Sequence, residues 1–329
     1  MKKLSIIITY HQETQVQIQR AFASVAMQVG VDFSELEVLL VGDGVPPLPS
    51  NLFVAPQALS VRQLTYQPSR GAGVARQTGI DNTTGRYVMF IDADDVMQDV
   101  FVLRNLLAPI KTSDYDVVIA RYTKQQHFGQ QVRYTLSAEH DWKAAYAKLY
   151  HREYIERIGL RWRPDLRIFE DTYFVGLACE LAQQGFYLNR SVYVWLWNPE
   201  STVRKNDHEF DHQLDVWALS NRYSLAVLRE KKPAVWPRNF YHYMADLFYR
   251  QQVYAPADAA AFIAEQTTLL VANRSLWTAA GQAQIRAEVM KLRQKGGNYA
   301  GMPMDGFDDF LATQMGYLKQ AYQQFVANR

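Results

Sequence analysis

The carboxylates of Asp92, Asp94 and Asp95 stand together directly after an apolar run, residues 87–91. Such a run predicts a buried strand whose carboxyl end brings the three side chains into one small volume. Clustered carboxylates repel each other unless a cation joins them, and hard divalent cations prefer oxygen ligands. The spacing therefore predicts a divalent metal site at the rim of an α/β sheet. The alternative is that these acids only cap a following helix, residues 96–107.

A further acidic position, Asp43, follows another predicted strand and lies between Gly42 and Gly44. Glycine on both sides lets the backbone approach a flat ring closely and leaves the carboxylate free to accept an N–H. Asp43 is therefore a candidate for contact with such a ring. A turn aspartate without a ligand is the alternative.

The glycine-containing segment 69–76 lies between a predicted strand and a predicted helix, which superficially suggests a dinucleotide-binding loop. Arg76 occupies the place of the third glycine of that motif, where close packing of helix on strand excludes a long side chain. We therefore reject the dinucleotide-binding interpretation.

Alternating strand and helix patterns position these residues. Apolar, β-branched runs predict strands, and apolar spacings of three and four predict helices. The predicted strands cover residues 4–8, 36–41, 61–66, 87–92 and 116–120, and the predicted helices between and after them cover residues 14–27, 73–82 and 171–184. This order predicts an α/β fold with a doubly wound, mostly parallel sheet, whose ligands gather beyond the carboxyl ends of the strands. Asp43 and the acidic cluster both fall there.

The character of the chain changes near residue 206, after which helical patterns dominate. The predicted helices cover residues 214–229, 257–272, 281–295 and 307–327, with breaks at residues 231–233 and 296–298. We expect two domains, residues 1–205 and residues 206–329. Aromatic residues and arginines at positions 236–250 are expected in a helical core or a dimer interface, with sugar stacking or membrane contact as alternatives.

Five motifs, in order over about residues 4–204, resemble those of the family 2 glycosyltransferases, nucleotide-sugar-dependent enzymes of the type A fold. They are residues 5–13, 41–44, 71–80 and 85–95 and the pair Glu170-Asp171. The resemblance implies that residues 1–205 are a nucleotide-sugar-binding catalytic domain and residues 206–329 a helical C-terminal domain. It implies an inverting, metal-dependent glycosyltransferase that moves a sugar from a nucleotide diphosphate donor, expected to be a UDP-sugar, to an acceptor. The expected acceptor is a glycan, lipid-linked or cell-envelope molecule, in the setting of polysaccharide biosynthesis.

The resemblance also implies a role for each residue on the donor side. Asp94 would ligate Mn²⁺ or Mg²⁺, Asp92 would reach the ribose hydroxyls, and Asp43 would contact uracil. A cation held by a carboxylate and both phosphates stabilises the leaving diphosphate without proton transfer. The other residues expected to line the nucleotide pocket are Thr9, Tyr10 and Glu13.

On the acceptor side, Asp171 matches the catalytic aspartate of the family, a base that removes the proton of the acceptor hydroxyl. Glu170 would orient or support the acceptor, and Arg76 would offer its planar fork to the nucleotide. An acidic first helical turn and a solvated helix arginine are the alternatives for Asp171 and Arg76. His208 is a candidate third metal ligand, with a solvated polar face as the alternative.

The composition argues against several classes of protein: nucleic-acid-binding, disulfide-stabilised and membrane-spanning proteins. The 329 residues include 35 Lys and Arg against 33 Asp and Glu, a net charge of +2, so nothing predicts nucleic-acid binding. The single cysteine, Cys179, excludes an intramolecular disulfide framework and fits a reducing compartment. No apolar run approaches the ~18 residues of a membrane span. We expect a cytoplasmic protein, and we leave open a homodimer and peripheral contact with the inner face of the membrane.

Two other functions compete with glycosyl transfer. A sugar-phosphate nucleotidyltransferase shares related α/β architecture and a metal-binding carboxylate, but its glycine-rich pyrophosphate loop is missing, because residues 5–13 contain no glycine. A catalytically silent scaffold that binds a nucleotide sugar is the other. The presence of Asp92, Asp94 and Asp171 argues against the scaffold.

Overall fold

The computed structural model describes residues 2–201 and 209–327. The chain divides into two compact units, residues 1–199 and residues 200–329. The first unit combines strands and helices, whereas the described part of the second contains only helices. The predicted α/β fold with a C-terminal helical region is confirmed.

The first unit opens with the predicted alternation of strand and helix. Its first elements are β1 (Leu4–Tyr10), α1 (Gln15–Ala26), β2 (Leu36–Asp43), β3 (Ser60–Tyr66), α2 (Ala72–Asp81) and β4 (Tyr87–Asp92). β1 and β2 are buried along their whole length, as expected for parallel strands covered on both faces. α1 begins at a capping box, in which the Thr14 and Gln17 side chains each accept a hydrogen bond from the other residue's backbone N–H.

The chain after Asp95 does not form the helix over residues 96–107 that the clustered acids were expected, as one alternative, to cap. The two-residue strand β5 (Val96–Met97) comes first, and helix α3 (Val102–Leu107) begins only at Val102. The residue before α3 is Phe101, so the acids at 92–95 do not cap this helix. The capping interpretation of the cluster was wrong.

The unit continues with elements that the sequence predicted only in part. They are β6 (Val117–Phe128), β7 (Gln131–Leu136), β8 (Lys148–His151), α4 (Arg152–Arg157), α5 (Glu170–Glu180) and β9 (Gly185–Trp195). β6 is longer than the predicted strand because its second half forms a hairpin with β7, whose residues are all exposed. The strand predictions relied on the apolar runs of buried strands, and an exposed hairpin has no such run, so this hairpin was not predicted.

Among the described residues, nine strands form one sheet in the order β3-β2-β1-β4-β8-β6-β9-β5, and β7 pairs with β6. The first four strands are parallel to each other, as predicted. β8 is antiparallel to both β4 and β6, so β6 runs in the same direction as β4. The register aligns Thr9 with Asp92 and Asp43 with Tyr66, which places the carboxyl ends of four strands at one edge.

The hydrophobic core of the first unit holds β1 in place, and with it the sheet edge at which β1 ends. Ile6 and Ile8 of β1 are buried in one hydrophobic cluster with Phe22 and Val25 of α1. Each such side chain contributes roughly 1.5–3 kcal/mol by leaving water. On α2, a side chain at Gly79 would meet Ile7, so glycine allows the close approach of this helix to β1.

The second unit is a helical assembly. Its helices are α6 (Leu214–Lys231), α7 (Trp236–Val253), α8 (Ala259–Ala272), α9 (Ala279–Lys295) and α10 (Phe307–Ala327). α6 and α10 pack on α8, and α7 packs on α9. The sequence patterns located four of these helices, and α7 was expected only as an aromatic core or interface segment. Phe240, Tyr243, Phe248 and Tyr249 of α7 are buried in this unit. In the described ranges, no helix is both long enough and apolar enough to cross a membrane.

Candidate active site

The residues that end β4, Asp92 to Asp95, form a tight turn that we call the acidic turn. The backbone N–H of Asp95 donates to the Asp92 carbonyl at 3.0 Å, and the N–H of Ala93 donates to the Thr9 carbonyl at 3.1 Å. The turn is thereby fastened to the end of β1. The Asp92 side chain keeps 30% of its surface exposed.

Asp94 is the acid expected to bind a metal ion. Its carboxylate Oδ2 accepts a hydrogen bond from Nδ2 of Asn198 at 2.8 Å, and its carbonyl accepts one from Nη2 of Arg20 at 2.6 Å. Burial, reinforced by the negative charge of Asp92, raises the pKa of Asp94. A cation at this position would relieve the same repulsion that favours the protonated form.

Asp95 has a different environment from its neighbours. It is buried, and its carboxylate accepts hydrogen bonds from the Tyr193 hydroxyl at 2.7 Å and from the Leu196 N–H at 2.8 Å. Burial and the charges of Asp94 and Asp92 raise its pKa well above the ordinary value. Asp95 therefore fastens the acidic turn to β9, so only two of the three clustered acids keep exposed surface.

Thr9, Tyr10 and Glu13 follow one another where β1 ends at the same edge. Glu13 accepts a hydrogen bond from the His11 N–H at 2.6 Å. Burial raises its pKa, and the charges of Asp94 and Asp92 add to the shift. Thr9 and Tyr10 are largely buried, so the structure gives them little surface for a nucleotide.

Asp43 lies at the same edge, but its carboxylate is not free as the sequence predicted. It accepts hydrogen bonds from Ser69 Oγ at 2.7 Å, the Arg70 N–H at 2.6 Å and the Gly71 N–H at 2.9 Å. Burial alone would raise its pKa, but these bonds hold the pKa below its ordinary value. Gly44 permits a close approach to Ser69 rather than to a ring. The carboxylate is engaged because the loop after β3 folds back over the end of β2, whereas its contact with uracil stays a prediction.

Arg76 is buried on α2, and its fork is held by protein carboxylates. Nη2 donates to Oδ1 of Asp92 at 2.9 Å, and Nη1 donates to Oε1 of Glu170 at 3.1 Å. The guanidinium also lies 4.9 Å from the ring centre of Trp162. Arg76 is therefore not a solvated helix arginine. It joins the acidic turn to α5, and its predicted contact with a nucleotide remains untested.

Glu170 and Asp171 form the first turn of α5. The residue before them, Phe169, has φ 58°, a left-handed conformation that is strained for a bulky side chain and that is found preferentially at functional sites. Burial and the charge of Asp171 raise the pKa of Glu170. Burial also raises the pKa of Asp171, although the charge of Arg76 opposes this shift. Asp171 keeps part of its surface exposed, as a base that meets a substrate requires.

Two metal ligands were predicted from the sequence, Asp94 and His208. Across residues 2–201 and 209–327, no group of three or more His, Cys, Asp or Glu side chains could hold a metal ion. His208, the candidate third ligand, lies outside the described residues. Metal binding by Asp94 therefore stays a prediction.

Sequence reasoning missed two residues whose side chains bond carboxylates of the acidic turn. Tyr193 of β9 accepts a hydrogen bond from the Asp92 N–H at 3.1 Å while donating to Asp95, and Asn198 donates to Asp94. Tyr193 lies on β9, and Asn198 lies in the loop that follows this strand. Neither residue belongs to the five motifs, so no sequence signal indicated that these side chains reach the acids.

The profile of the family described as "Glycosyl transferase family 2" matches residues 5–177, more than half of the chain. The chain belongs to this family. The matched range contains every candidate site residue named above except Tyr193, Asn198 and His208.

Curated relatives are similar to parts of this family 2 chain. The "Uncharacterized glycosyltransferase EpsJ" of Bacillus subtilis is 25% identical over 221 residues, which are 59% of this chain and 63% of EpsJ. The "Succinoglycan biosynthesis protein ExoW" of Rhizobium meliloti is 38% identical over 100 residues, 29% of this chain and 30% of ExoW. The chain thus spans less than two thirds of the length of these relatives.

Solved structures share the fold. TarS residues 1–349 of S. aureus in complex with UDP-GlcNAc has a TM-score of 0.62 and 14% identity, covering 90% of this chain and 89% of that one. The complex with UDP has a TM-score of 0.60 and 16% identity over the same shares. At this identity the likeness shows the fold alone, and it confirms the predicted type A fold of family 2.

Proposed function

We propose that the chain is an inverting, metal-dependent glycosyltransferase that moves a sugar from a UDP-sugar to a glycan, lipid-linked or cell-envelope acceptor. One observation carries this proposal. Arg76 bonds both Asp92, on the expected donor side, and Glu170, the neighbour of the expected base. The residues expected on the donor side and on the acceptor side are therefore connected by hydrogen bonds at the sheet edge where ligands of α/β folds bind, which supports the proposal.

The donor assignment combines this geometry with the comparisons. Asp92 has partly exposed carboxylate surface at the end of β4, where it can accept hydrogen bonds from ribose hydroxyls. Solved structures with this fold hold UDP and UDP-GlcNAc. UDP-GlcNAc is therefore the first donor to test, among other nucleotide sugars.

The described residues fit a divalent cation that is shared with the donor. Magnesium-type sites often use one or two carboxylates and take their remaining ligands from substrate phosphates and water. Asp94, with Asp92 beside it in the acidic turn, would supply this number of carboxylates. Bound Mn²⁺ or Mg²⁺ would neutralise charge on the leaving diphosphate.

The residue proposed to activate the acceptor, Asp171, lies in the first turn of α5. Asp171 takes the proton of the acceptor hydroxyl while that oxygen bonds to the anomeric carbon of the sugar. The bond between the anomeric carbon and the diphosphate breaks, and its electron pair leaves with UDP. Attack from the face opposite to the leaving group inverts the anomeric configuration. The raised pKa of Asp171 strengthens it as a base.

The setting of the reaction is part of the proposal. One relative is named for succinoglycan biosynthesis, so polysaccharide assembly is the expected process. A lipid-linked acceptor would bring the protein to the inner face of the membrane from the cytoplasm. Homodimer formation is a further expectation, to be tested by sedimentation.

The experiment is a panel of nucleotide sugars incubated with the full chain, with and without Mn²⁺, and analysed for released products. Metal-dependent release of UDP supports the transferase. Release of pyrophosphate would instead identify a nucleotidyltransferase. Nucleotide binding without turnover across donors and acceptors would identify a scaffold and overturn the proposal.

A further inference from the structure

The chain returns to the acidic turn after β9 and places an amide on the expected metal ligand. Nδ2 of Asn198 donates to Oδ2 of Asp94 at 2.8 Å, although the two residues are 104 positions apart. The side-chain partner of Asp92, in contrast, is the guanidinium of Arg76 at 2.9 Å. Asp92 is thus paired with a cation, whereas Asn198 bonds Asp94 without supplying a positive charge.

The position of Asn198 is fixed by the two residues before it. The Leu196 N–H donates to Oδ1 of Asp95 at 2.8 Å, and the Trp197 N–H donates to Oε1 of Gln125 on β6 at 2.9 Å. The Trp197 ring also stacks on His127, with ring centres 5.1 Å apart and planes 10° apart. Consecutive backbone groups are therefore anchored on two different elements.

The acidic turn is held from the same strand. The Tyr193 hydroxyl donates to Asp95 at 2.7 Å and accepts the Asp92 N–H at 3.1 Å, so one phenol spans the turn. Tyr146 stacks on the Tyr193 ring with centres 4.2 Å apart. Because both partners are fixed to β9, the contact between Asn198 and Asp94 is built into the fold.

From this geometry we propose that Asn198 is a positioning residue that orients the Asp94 carboxylate toward the divalent cation and the donor diphosphate. The proposal rests on the proposed function and adds a residue to it. A neutral amide restrains the rotation of a carboxylate and leaves its negative charge available to a metal ion. A lysine at this position would compete with the cation, and an aspartate would repel Asp94.

The test measures Mn²⁺ binding to the full chain in the presence of UDP, from the paramagnetic resonance signal of free Mn²⁺. Loss of such an outer contact typically weakens metal affinity 10–100-fold, so Asn198→Ala should raise the Mn²⁺ midpoint by about this factor. UDP affinity measured in EDTA should change less than about twofold, since the contact acts through the metal ligand. A general loss of structure would weaken both the binding of Mn²⁺ and the binding of UDP in EDTA.

Controls separate the contact from the fold. Asn198→Leu keeps the side-chain volume and loses the donor, so it should behave like Asn198→Ala and carries the test if the alanine variant does not fold. Asn189→Ala removes an asparagine of β9 whose Oδ1 accepts a hydrogen bond from Arg121 at 3.1 Å, and it should leave the Mn²⁺ midpoint unchanged. If both Asn198 variants show the wild-type Mn²⁺ midpoint, the positioning role of Asn198 is overturned, while the proposed metal-dependent function still stands. Absence of Mn²⁺ binding in the wild type with UDP would overturn the metal-dependent function itself.

Discussion

Arg76 and Glu170, 94 positions apart in the sequence, form an ion pair of 3.1 Å between two buried side chains. The same guanidinium bonds Asp92 at 2.9 Å, so one cation is shared between the end of β4 and the start of α5. Buried carboxylates without a partner are unfavourable, and Arg76 offsets this for the acids on both sides. The end of the donor strand and the helix that carries the expected base are therefore held in a fixed relation.

Replacing Arg76 by methionine should destabilise the protein strongly. The change leaves Asp92 and Glu170 without their common cation, and breaking a buried pair costs about 3–5 kcal/mol. Urea unfolding of the variant should show a loss of this size in the free energy of unfolding. Arg163→Met, which breaks an exposed pair with Asp165, is the matched control and should lose at most about 1 kcal/mol. Equal losses in both variants would contradict the shared role of Arg76.

Replacing Asp171 by asparagine should remove transfer and leave donor binding nearly intact. The amide keeps the size of the side chain but cannot take a proton from the acceptor, and loss of a general base costs about 10²–10⁴-fold in rate. Turnover and UDP affinity are measured on the same preparation. Glu180→Gln at the other end of α5 is the control and should keep wild-type turnover. Wild-type turnover in Asp171→Asn would assign the base elsewhere.

The sequence predicted the frame of the site well for a physical reason. Strands covered on both faces, such as β1 and β4, appear in the sequence as continuous apolar runs, and their carboxyl ends must share an edge in a parallel sheet. The positions of Asp92 and Asp94 at the sheet edge follow directly from this pattern. The family motifs added α5 and the pair Glu170-Asp171.

Local sequence patterns could not predict the contacts between segments that are distant in the sequence. No local pattern shows that the fork of Arg76 is held by two carboxylates, or that the loop after β3 returns to bond Asp43. The bond from Asn198 to Asp94 depends equally on how β9 lies in the sheet. Such pairings are set by the tertiary fold, so the sequence identified candidate residues without their partners.

Replacing Asp94 by alanine should weaken UDP binding in the presence of Mn²⁺ and change it little in EDTA. The side chain is expected to hold the cation that bridges to the diphosphate, so its loss acts only when metal is present. Isothermal titration with UDP under both conditions gives the comparison. Asp165→Ala, at an exposed surface position, should match the wild type in both. Equal metal-dependent affinity in wild type and Asp94→Ala would refute the assignment.

Replacing Glu170 by glutamine should leave the acid limb of the pH–rate profile in place. Burial and the charge of Asp171 raise the pKa of Glu170 to about 7, so Glu170 is protonated over the more acidic range in which Asp171 ionises. A neutral amide then replaces a neutral carboxyl group, and the pKa of Asp171 does not change. The rate of UDP release is measured between pH 4 and pH 8, where an acid limb that moves to lower pH would show that Glu170 ionises before Asp171.

Replacing Asp43 by asparagine should reduce stability in a pH-dependent way. The folded protein holds the pKa of Asp43 below its ordinary value, so ionised Asp43 stabilises the fold above its unfolded pKa. Loss of hydrogen bonds to this charged group should cost about 2 kcal/mol near neutral pH. The difference from the wild type should shrink as the pH falls below about 4, since protonation then weakens the same bonds in the wild type. Urea unfolding over a series of pH values, with Asp165→Asn as the surface control, measures it. A difference that stays constant with pH would mean that the loop does not depend on the charge of Asp43.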